Sequence, residues 1–341
     1  MAQEIASKEG APVVVVTGAS AGVGRAVATA FAGCGYRVAL LARSPEGLEG
    51  AKRNVADAGG EPFALVTDAS KSDEVFAAAN AVVARWGRVD IWVNDAMETV
   101  VGPVDRITPQ EFRRVMEVTF LGYVHGTLAA LRHMRPRDEG HIIQIGSALS
   151  YRAIPLQAPY CAAKFAIRGF TDSLRAELIH DRSRIRLTMV QLPGVNTPQF
   201  DWSHMHFSHR HKPIGTVYQP EAVAQAVVEA AQAERAPREL WLGGPTVQTI
   251  IGQILAPNFL DRYLARNAYD QQITNDPVLP GDPDELLGPD HRDHGSRGRF
   301  TGKAKDRIIA FDPARLRGGA VAAGLGLLAG AYLWGRGSRP H

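Results

Sequence analysis

The chain has 341 residues, enough for one large core with an appendage, and its 45% hydrophobic and 21% charged residues are typical of a globular protein. A formal net charge of +3, with no dense stretch of Lys and Arg, excludes a typical nucleic-acid-binding protein. The two cysteines, Cys34 and Cys161, form no CxxC motif. This excludes a cysteine zinc site and a disulfide framework, and it favours a reducing, intracellular compartment.

Short apolar runs alternate with helical patterns over the first 195 residues, beginning with the continuous apolar run Val13–Val16. The predicted strands are Val13–Val16, Arg37–Leu41, Phe63–Val66, Val89–Val93, His141–Ile145, Ile185–Gln191 and Glu239–Leu242. The predicted helices cover Gly22 to Phe31, the residues after the Ser44 cap, Ser72–Arg85, Thr108 to about His133, and Pro159–His180. Such alternation predicts a doubly wound, Rossmann-type α/β fold with a parallel sheet covered on both faces.

The composition changes after about Tyr269. We expect an N-terminal tail at 1–10, a catalytic domain at 11–269, a flexible linker rich in Pro, Gly, Asp and Arg at 270–317, and an apolar segment at 318–335. The apolar segment is near the lower length limit for crossing a bilayer, but its glycines make it weakly hydrophobic. A membrane anchor, a helix packed on a partner and a loose tail all remain open. We expect a cytoplasmic protein, associated with a membrane if this segment is an anchor.

A glycine-rich turn, with the spacing G-x-x-x-G-x-G, joins the first predicted strand to the first helix. Glycines at such a turn let the backbone approach a pyrophosphate, and the helix N-terminus offers unpaired N–H groups. We therefore predict that a dinucleotide contacts Gly18, Ser20, Gly22, Val23 and Gly24.

The residues after the second and third strands bear on cofactor choice. A carboxylate after the second strand would favour NAD, but the sequence has Arg43 and Ser44 there. Arg43 can pair with a 2′-phosphate, which predicts NADP(H) rather than NAD; the alternative is an exposed arginine at a helix start. Asp68, followed by Ala69, is placed to accept a hydrogen bond from the adenine amino group, with a helix cap as the alternative.

Tyr160 and Lys164 lie four residues apart on one predicted helix and therefore share a face. A tyrosine with a pKa of about 10 is a poor base at neutral pH, but a nearby ammonium and a cationic nicotinamide lower that pKa. Ser147, just after the fifth strand, can hold the oxygen of a substrate. These three residues predict a catalytic site with Tyr160 as general acid and base.

With these motifs in order, the sequence resembles the short-chain dehydrogenase/reductase family over about residues 11–241. The resemblance rests on TGASAGVG, Asp68, Asn94-Asp95-Ala96, Ser147, YCAAK and Leu192-Pro193-Gly194 with Thr197. It implies that Tyr160 and Lys164 also touch the cofactor, and that the helices 108–133 and 159–180 form a homodimer. Further cofactor contacts implied by the resemblance are Asn94, Ala96, Pro193, Gly194, Val195 and Thr197.

Two departures from the family pattern concern the catalytic centre. The motif after the fourth strand is usually Asn-Asn-Ala-Gly, whereas this chain has Asp95 and Met97 at the second and fourth positions. The helix after Thr108 usually carries an asparagine that holds a water for the proton relay of the lysine, and Thr119 stands there. Threonine lacks the amide carbonyl and its reach, so the relay from Lys164 is left open.

The resemblance implies a lid over the substrate after Thr197. Its aromatic residues, together with those after Ser147, indicate an apolar carbonyl or alcohol substrate: Trp202, Met205, Phe207, Leu149, Tyr151, Ile154 and Leu156. The lid also carries His204, His206, His209 and His211, but without a carboxylate or cysteine at ligand spacing we expect no metal. The expected function is an NADP(H)-dependent carbonyl reductase or alcohol dehydrogenase. The alternative is an NADP(H)-binding regulatory or scaffold protein with weak or lost catalysis.

Overall fold

The computed structural model describes residues 10–279, 282, 284–286 and 288–315. The predicted apolar segment 318–335 lies outside the described residues, as does the predicted tail at 1–10 except for Gly10. Within the described ranges, no helix combines the length and the apolar character needed to cross a membrane.

The predicted alternation of strands and helices is present. The described strands are β1 (Val13–Thr17), β2 (Arg37–Ala42), β3 (Glu61–Val66), β4 (Ile91–Asn94), β5 (Val100–Val101), β6 (His141–Ser147), β7 (Arg186–Leu192), β8 (Gly194–Val195), β9 (His204–Met205), β10 (His209–His211), β11 (Val217–Tyr218), β12 (Glu239–Leu242), β13 (Ile273–Pro277) and β14 (Ala310–Phe311). The α-helices are α1 (Gly22–Gly33), α2 (Pro45–Asp57), α3 (Ser72–Trp86), α4 (Pro109–Val115), α5 (Gly122–Met134), α6 (Ala158–His180), α7 (Gln199–Trp202), α8 (Pro220–Gln232), α9 (Gly243–Leu255) and α10 (Pro257–Gln271).

The central sheet has the strand order β14-β12-β7-β6-β4-β1-β2-β3. Neighbouring strands are parallel except for β12 and β14, which are antiparallel. The chain moves from β1 outward to β3 and then crosses back to β4, so β1 and β4 border the topological switch point. In open α/β sheets, ligands bind beyond the carboxyl ends of the strands at this point.

Strand β1 explains why the sheet is covered on both faces. Successive side chains of a strand point to opposite faces. Val13 and Val15 pack in the cluster that includes α3, α5 and α6, whereas Val14 and Val16 pack in the cluster that includes α1, α2 and α8. A strand buried on both faces has the continuous apolar run seen in the sequence. The predicted doubly wound α/β fold is confirmed.

The predicted helix from Thr108 to about His133 forms three joined pieces. The Thr108 hydroxyl accepts from the Glu111 amide at 3.2 Å, and the Glu111 carboxylate accepts from the Thr108 amide at 2.7 Å, which is the predicted capping box. A π-helical stretch, Met116–Leu121, separates α4 from α5. Insertions of this kind widen a helix locally and often occur at functional sites; this one carries Thr119.

The segment predicted as a flexible linker differs from that expectation where the structure describes it. Strand β13 pairs with β10, and β14 extends the central sheet beside β12. Lys305 also pairs with the backbone around β11, since its amide donates to the Val217 carbonyl at 2.9 Å and its carbonyl accepts from the Gln219 amide at 2.9 Å. The segment is poor in apolar residues, and backbone hydrogen bonds and ion pairs to distant residues hold it in place. The local composition of a segment does not predict such partners.

Candidate active site

A cavity of about 560 Å³ opens beyond the carboxyl ends of β1, β4 and β6. Helix α6 and the loop after β7 complete its walls. The cavity therefore lies at the switch point of the sheet, where the topology places a ligand site.

The glycine turn between β1 and α1 forms the inner edge of this cavity. Gly18 and Gly22 adopt positive φ angles of +70° and +57°. A Cβ atom on Gly18 would lie 2.9 Å from the Cα of Ala96, so a larger residue would clash with that backbone. A Cβ on Gly24 would lie 2.4 Å from the Gly18 carbonyl oxygen. Gly24 therefore lets α1 pack on the turn and does not line the cavity, contrary to its predicted role in cofactor contact.

Most residues predicted to contact a cofactor line the cavity. They are Gly18, Ser20, Gly22, Val23, Arg43, Asp68, Ala69, Ala96, Tyr160, Lys164, Pro193, Gly194, Val195 and Thr197. The Thr197 hydroxyl is buried and has no hydrogen-bond partner within the part of the chain that the structure describes. Buried polar groups are normally hydrogen-bonded, so an unpartnered hydroxyl facing a cavity fits a polar ligand. The glycine turn and Thr197 together suit a dinucleotide.

Asn94 does not line the cavity, and its predicted contact with the cofactor stays a prediction. Its side chain is fully buried and points toward α5. Its amide nitrogen donates to Gln144 at 2.9 Å and to Thr127 at 3.1 Å, and its oxygen accepts from the Trp92 indole at 2.8 Å. Asn94 therefore fixes β4 to β6 and α5, which positions the following residues, Asp95 and Ala96, at the cavity.

Arg43 lines the cavity after β2, as predicted, but charged groups of the chain already surround it. It forms an ion pair with Glu98, and its Nη2 donates to the Glu285 carbonyl at 2.8 Å. The Glu285 carboxylate lies 3.9 Å from the same nitrogen. The neighbouring Ser44 hydroxyl donates to the Asp290 carbonyl at 2.9 Å. The Ser44 hydroxyl and the Arg43 Nη2 are thus engaged within the chain, whereas the Arg43 Nη1 is buried and has no hydrogen-bond partner among the described residues.

Asp68 also has partners at the cavity wall. Its Oδ1 accepts from the Ser70 amide at 2.9 Å and hydroxyl at 2.7 Å, and its Oδ2 accepts from Arg114 at 3.0 Å. Burial opposes ionisation of Asp68, but these hydrogen bonds outweigh it and hold its pKa below the usual value. The residue is therefore a charged acceptor at the wall. It does not cap α3, whose N-cap residue is Lys71.

The three side chains predicted to be catalytic converge at the inner end of the cavity. Ser147 ends β6, and Tyr160 and Lys164 lie on the first turns of α6. The Ser147 side chain lies close enough to the Tyr160 phenol to lower its pKa, and the Lys164 Nζ lies 5.5 Å from the centre of the Tyr160 ring. Burial raises the pKa of Tyr160, and the nearby Ser147 side chain offsets this only in part. The phenol is therefore protonated in the described protein and can donate.

Lys164 is deeply buried and bonds to groups that sequence reasoning missed. Its Nζ donates to the Tyr123 hydroxyl at 3.1 Å and to the Ile145 carbonyl at 2.8 Å. The Tyr123 hydroxyl itself donates to Ile145 at 2.8 Å. Burial lowers the pKa of Lys164 and raises that of Asp95, while each charge favours the ionised form of the other. Lys164 and Asp95 are therefore a coupled buried pair beside Tyr160.

Thr119 occupies the position expected for the relay asparagine, but its hydroxyl faces another partner. It accepts from the Glu98 amide at 2.9 Å and donates to the Glu98 carbonyl at 2.9 Å. Thr119 thus fixes the loop that carries Glu98, the partner of Arg43. Both bonds of its hydroxyl are used there, so it does not reach Lys164.

Comparison with known proteins identifies the family. The sequence profile described as short chain dehydrogenase matches residues 12–204, more than half of the chain. The chain belongs to the short-chain dehydrogenase family. The resemblance predicted from the sequence is confirmed, and the chain is an oxidoreductase of a family that binds nicotinamide cofactors.

Relatives and solved structures of short-chain dehydrogenases cover most of the chain. The uncharacterised oxidoreductase YxnA of Bacillus subtilis is 29% identical, over 87% of this chain and 86% of its own length. The 3beta-hydroxysteroid dehydrogenase 1 of Eggerthella lenta is 34% identical, over 72% of this chain and 95% of its own. A solved short-chain dehydrogenase from Streptomyces avermitilis matches with a TM-score of 0.64 and 27% identity, covering 76% of this chain and 98% of that one. A metagenomic short-chain oxidoreductase in complex with NADP matches with a TM-score of 0.57 and 30% identity, covering 68% and 97%.

Beyond the catalytic group, the wall of this dehydrogenase cavity is largely apolar. Its apolar side chains are Leu149, Ile154, Phe200, Trp202, Ile214, Leu260 and Leu264. Leu149, Ile154 and Trp202 were predicted for this wall, whereas Tyr151, Leu156, Met205 and Phe207 do not line the cavity. Helices α9 and α10 also contribute, which no motif in the sequence indicated. Arg152 and Lys212 are the basic groups of this part of the wall.

Two histidines of the predicted lid, His204 and His206, contact a carboxylate that is distant in the sequence. The Glu111 carboxylate lies 2.9 Å from His204 and 3.0 Å from His206, and Asp284 lies 2.6 Å from the other nitrogen of His204. The ligand atoms of Glu111, His204 and His206 all lie within 4.8 Å of one another, as do those of a second group formed by Glu285, Asp290 and His294. Hydrogen bonds already account for the positions of the first group. That the protein needs no metal remains a prediction.

Proposed function

We propose that this chain is an NADP(H)-dependent carbonyl reductase or secondary-alcohol dehydrogenase acting on an apolar substrate. The observation that carries the proposal is the convergence of Ser147, Tyr160 and Lys164 on one cavity that also holds the glycine turn. General acid–base chemistry needs a proton donor within hydrogen-bond reach of the reacting oxygen. The protonated phenol of Tyr160 lines this cavity together with Ser147, which supports its proposed role as that donor.

The roles of the three side chains follow from their environments. The nicotinamide, when bound, would supply or accept the hydride. Ser147 would hold the substrate oxygen, and Tyr160 would donate a proton to it during reduction or remove one during oxidation. Lys164, held by Tyr123 and Ile145, would stabilise the phenolate by its charge.

The choice of NADP(H) rests on Arg43. No carboxylate directly follows β2, where it would accept from the ribose hydroxyl, and Arg43 lines the cavity there. The match to a solved short-chain oxidoreductase in complex with NADP agrees with this proposal. The ion pair of Arg43 with Glu98 means that a 2′-phosphate would have to compete for the guanidinium.

An apolar substrate is proposed from the wall of the cavity. Aliphatic and aromatic side chains line the region beyond Tyr160 together with polar ones such as Gln157, Gln199 and Gln248, and the apolar part favours a ligand with a hydrophobic body. A steroid-like, retinoid-like or fatty carbonyl compound would fit this chemistry. The relative named as a 3beta-hydroxysteroid dehydrogenase supports the steroid-like class among these.

Turnover with a panel of apolar ketones and the matching secondary alcohols tests the proposal. We expect NADPH consumption with at least one ketone, and faster consumption with NADPH than with NADH. Tight NADPH binding without consumption by any compound would instead support the alternative of a regulatory or scaffold protein. The panel should include small polar ketones as controls, since the apolar wall predicts that these are poor substrates.

A further inference from the structure

The described residues of the stretch 284–301, which we call the strap, run along the opening of the cofactor groove. The strap begins beside Arg43 and ends on the loop after β7. It thereby crosses from one border of the groove to the other. Its contacts fall into three groups, and each involves an element of the dinucleotide site.

The first group lies where a 2′-phosphate is proposed to bind. The Glu285 carbonyl accepts from Arg43 at 2.8 Å, and the Glu285 carboxylate lies 3.9 Å from that guanidinium. The Asp290 carbonyl accepts from the Ser44 hydroxyl at 2.9 Å. Glu285 and Pro289 line the cavity itself. The strap therefore presents acceptors to the two side chains that would bind a phosphate.

The second group lies at the start of α1. The Gly295 carbonyl accepts from the Gly22 amide at 3.1 Å, which is one of the unpaired N–H groups at a helix N-terminus. Asp293 forms ion pairs with Arg25 and, at 3.2 Å, with Arg53. A pyrophosphate binds to a helix start of this kind through the same free amides and partial positive charge. The strap occupies one of these amides.

The third group joins the strap to the loop that follows β7. The Gly298 amide donates to the Asn196 carbonyl at 3.1 Å, and the Phe300 amide donates to the Asn196 side chain at 2.9 Å. A Cβ atom on Gly298 would lie 2.4 Å from the Thr197 carbonyl oxygen. This close packing holds the end of the strap against the loop that carries Thr197, a residue that lines the cavity.

We propose that the strap is a gate on the cofactor groove, with Glu285 acting as a latch that competes with the ribose 2′-phosphate for Arg43. The bonds to Glu98 and Glu285 both use Nη2 of Arg43, so this nitrogen cannot keep them and also take part in a bidentate pair with a phosphate. Cofactor binding therefore displaces Glu285. The free energy of the lost contacts makes the observed free energy of binding less favourable. The apparent dissociation constant of the cofactor is the intrinsic constant divided by the fraction of molecules in which the strap is open. A strap that is mostly closed therefore lowers the apparent affinity.

This inference rests on the proposed use of NADP(H), and two fragment probes separate the two claims. Adenosine 2′,5′-bisphosphate and adenosine 5′-monophosphate differ only in the 2′-phosphate. Titration calorimetry of the full chain and of Glu285→Gln would measure the affinity of each. We expect Glu285→Gln to bind the bisphosphate at least about fivefold more tightly and the monophosphate with a smaller gain, because a more open strap favours both probes but only the bisphosphate competes for Arg43.

Asp293→Asn tests the gate at a second point of the strap, where Asp293 pairs with Arg25 and Arg53 and not with Arg43. It removes the charge that pairs with Arg25 and Arg53, so the strap should open more often. Stopped-flow mixing with NADPH and with NADH should show association rates at least about threefold higher for both cofactors. Asp172→Asn is the matched control, since Asp172 forms an exposed pair with Arg238 at 2.6 Å on another part of the surface; it should change neither affinity nor rate.

The outcomes separate the two claims. If the unaltered chain prefers the bisphosphate but neither strap variant changes affinity or rate, the gate is overturned and the proposed cofactor preference stands. If the unaltered chain and Glu285→Gln bind both fragments equally, the preference for NADP(H) fails and the latch fails with it. Faster association in Asp293→Asn with NADH would still support a gate, because NADH carries no 2′-phosphate.

Discussion

The Lys164 ammonium donates a hydrogen bond to the phenol oxygen of Tyr123 at 3.1 Å. The resemblance to the family led us to expect a proton relay through the position of Thr119, but the Thr119 hydroxyl is bonded to Glu98. Tyr123 lies four residues further on, one turn along the same helix, and takes the place beside the lysine. The buried contact to Lys164 is therefore made by a phenol that burial keeps protonated, since burial raises the pKa of Tyr123.

Tyr123→Phe tests this arrangement. The change removes an acceptor that favours the charged form of Lys164, so the pKa of Lys164 should fall further. The Lys164 ammonium is proposed to stabilise the Tyr160 phenolate. In the variant, the loss of activity at high pH should therefore begin at a lower pH than in the unaltered protein. We expect kcat to fall by up to about tenfold with little change in cofactor affinity. The measurement is the pH profile of kcat.

Thr119→Val is the control for that experiment. It removes the hydroxyl that bonds to Glu98 but leaves Lys164 and Tyr123 untouched. The basic limb of its profile should coincide with that of the unaltered protein. If Thr119→Val shifts the limb and Tyr123→Phe does not, the relay runs through Thr119 and our interpretation is wrong.

Arg43→Ala tests the proposed cofactor preference. Loss of a charge-assisted hydrogen bond typically costs about 1.5–3 kcal/mol, which is about a 10- to 150-fold loss of affinity. We expect the dissociation constant of NADPH to rise by this factor and that of NADH to change by less than about threefold. Fluorescence titration with both cofactors measures this. An unchanged constant for NADPH would overturn the assignment of Arg43.

The buried carboxylate of Glu98 predicts that NADPH binding takes up a proton. Burial raises the pKa of Glu98 to about 8, although Arg43 favours its ionised form. A 2′-phosphate near Glu98 adds negative charge and draws Arg43 away, and both changes raise this pKa further. A group whose pKa rises on binding takes up protons at pH values between the two pKa values. The affinity should therefore increase as the pH falls toward about 8 and level off below it, and proton uptake should be largest above pH 8.

Calorimetry in two buffers with different ionisation enthalpies counts the protons taken up. We expect uptake with NADPH but much less with NADH, which lacks the 2′-phosphate. In Glu98→Gln the uptake with NADPH should decrease. Equal uptake for NADPH in the variant and in the unaltered protein would assign the proton to another group.

The proposed homodimer through α5 and α6 has a direct test. Leu128 on α5 and Phe165 on α6 are 47% and 43% exposed, so both helices of the proposed interface present apolar surface. Phe165→Asp would place a charge in the proposed interface and should weaken dimerisation by at least about tenfold. Sedimentation velocity measures it. Phe259→Asp, on α10 at 65% exposure, is the control and should leave the oligomeric state unchanged.

Local patterns were sufficient to predict the central fold. The apolar runs and the helix caps in the sequence predicted the parallel strands, because strands buried on both faces leave a pattern within a few residues. The glycine turn and the pair Tyr160 and Lys164 are local in the same sense. The glycines of the turn other than Gly24, and both Tyr160 and Lys164, line the cavity.

Asn94 shows where a motif was read too simply. Side chains alternate along a strand, so Asn94 shares the face of Trp92, which is buried against α5. Alternation along β4 would have separated Asn94 from the cavity without any structure. Family motifs mark residues that position a site as well as residues that touch a ligand.

The partners of Arg43 could not be predicted from the sequence, because they are distant along the chain. Glu285 is 242 positions away from Arg43 along the chain, in a stretch whose composition predicts flexibility. Pairings of this kind depend on the whole fold. The same holds for Glu111, which the fold brings to His204 and His206.

The central claim is that Tyr160 transfers the proton in a hydride-transfer reaction, and Tyr160→Phe tests it most directly. The change keeps the ring and removes only the hydroxyl. With the best ketone of the panel, the account predicts that kcat falls by about 10²- to 10⁴-fold, while the dissociation constant of NADPH stays within about threefold. Unchanged kcat in Tyr160→Phe, with NADPH still consumed, would contradict the account.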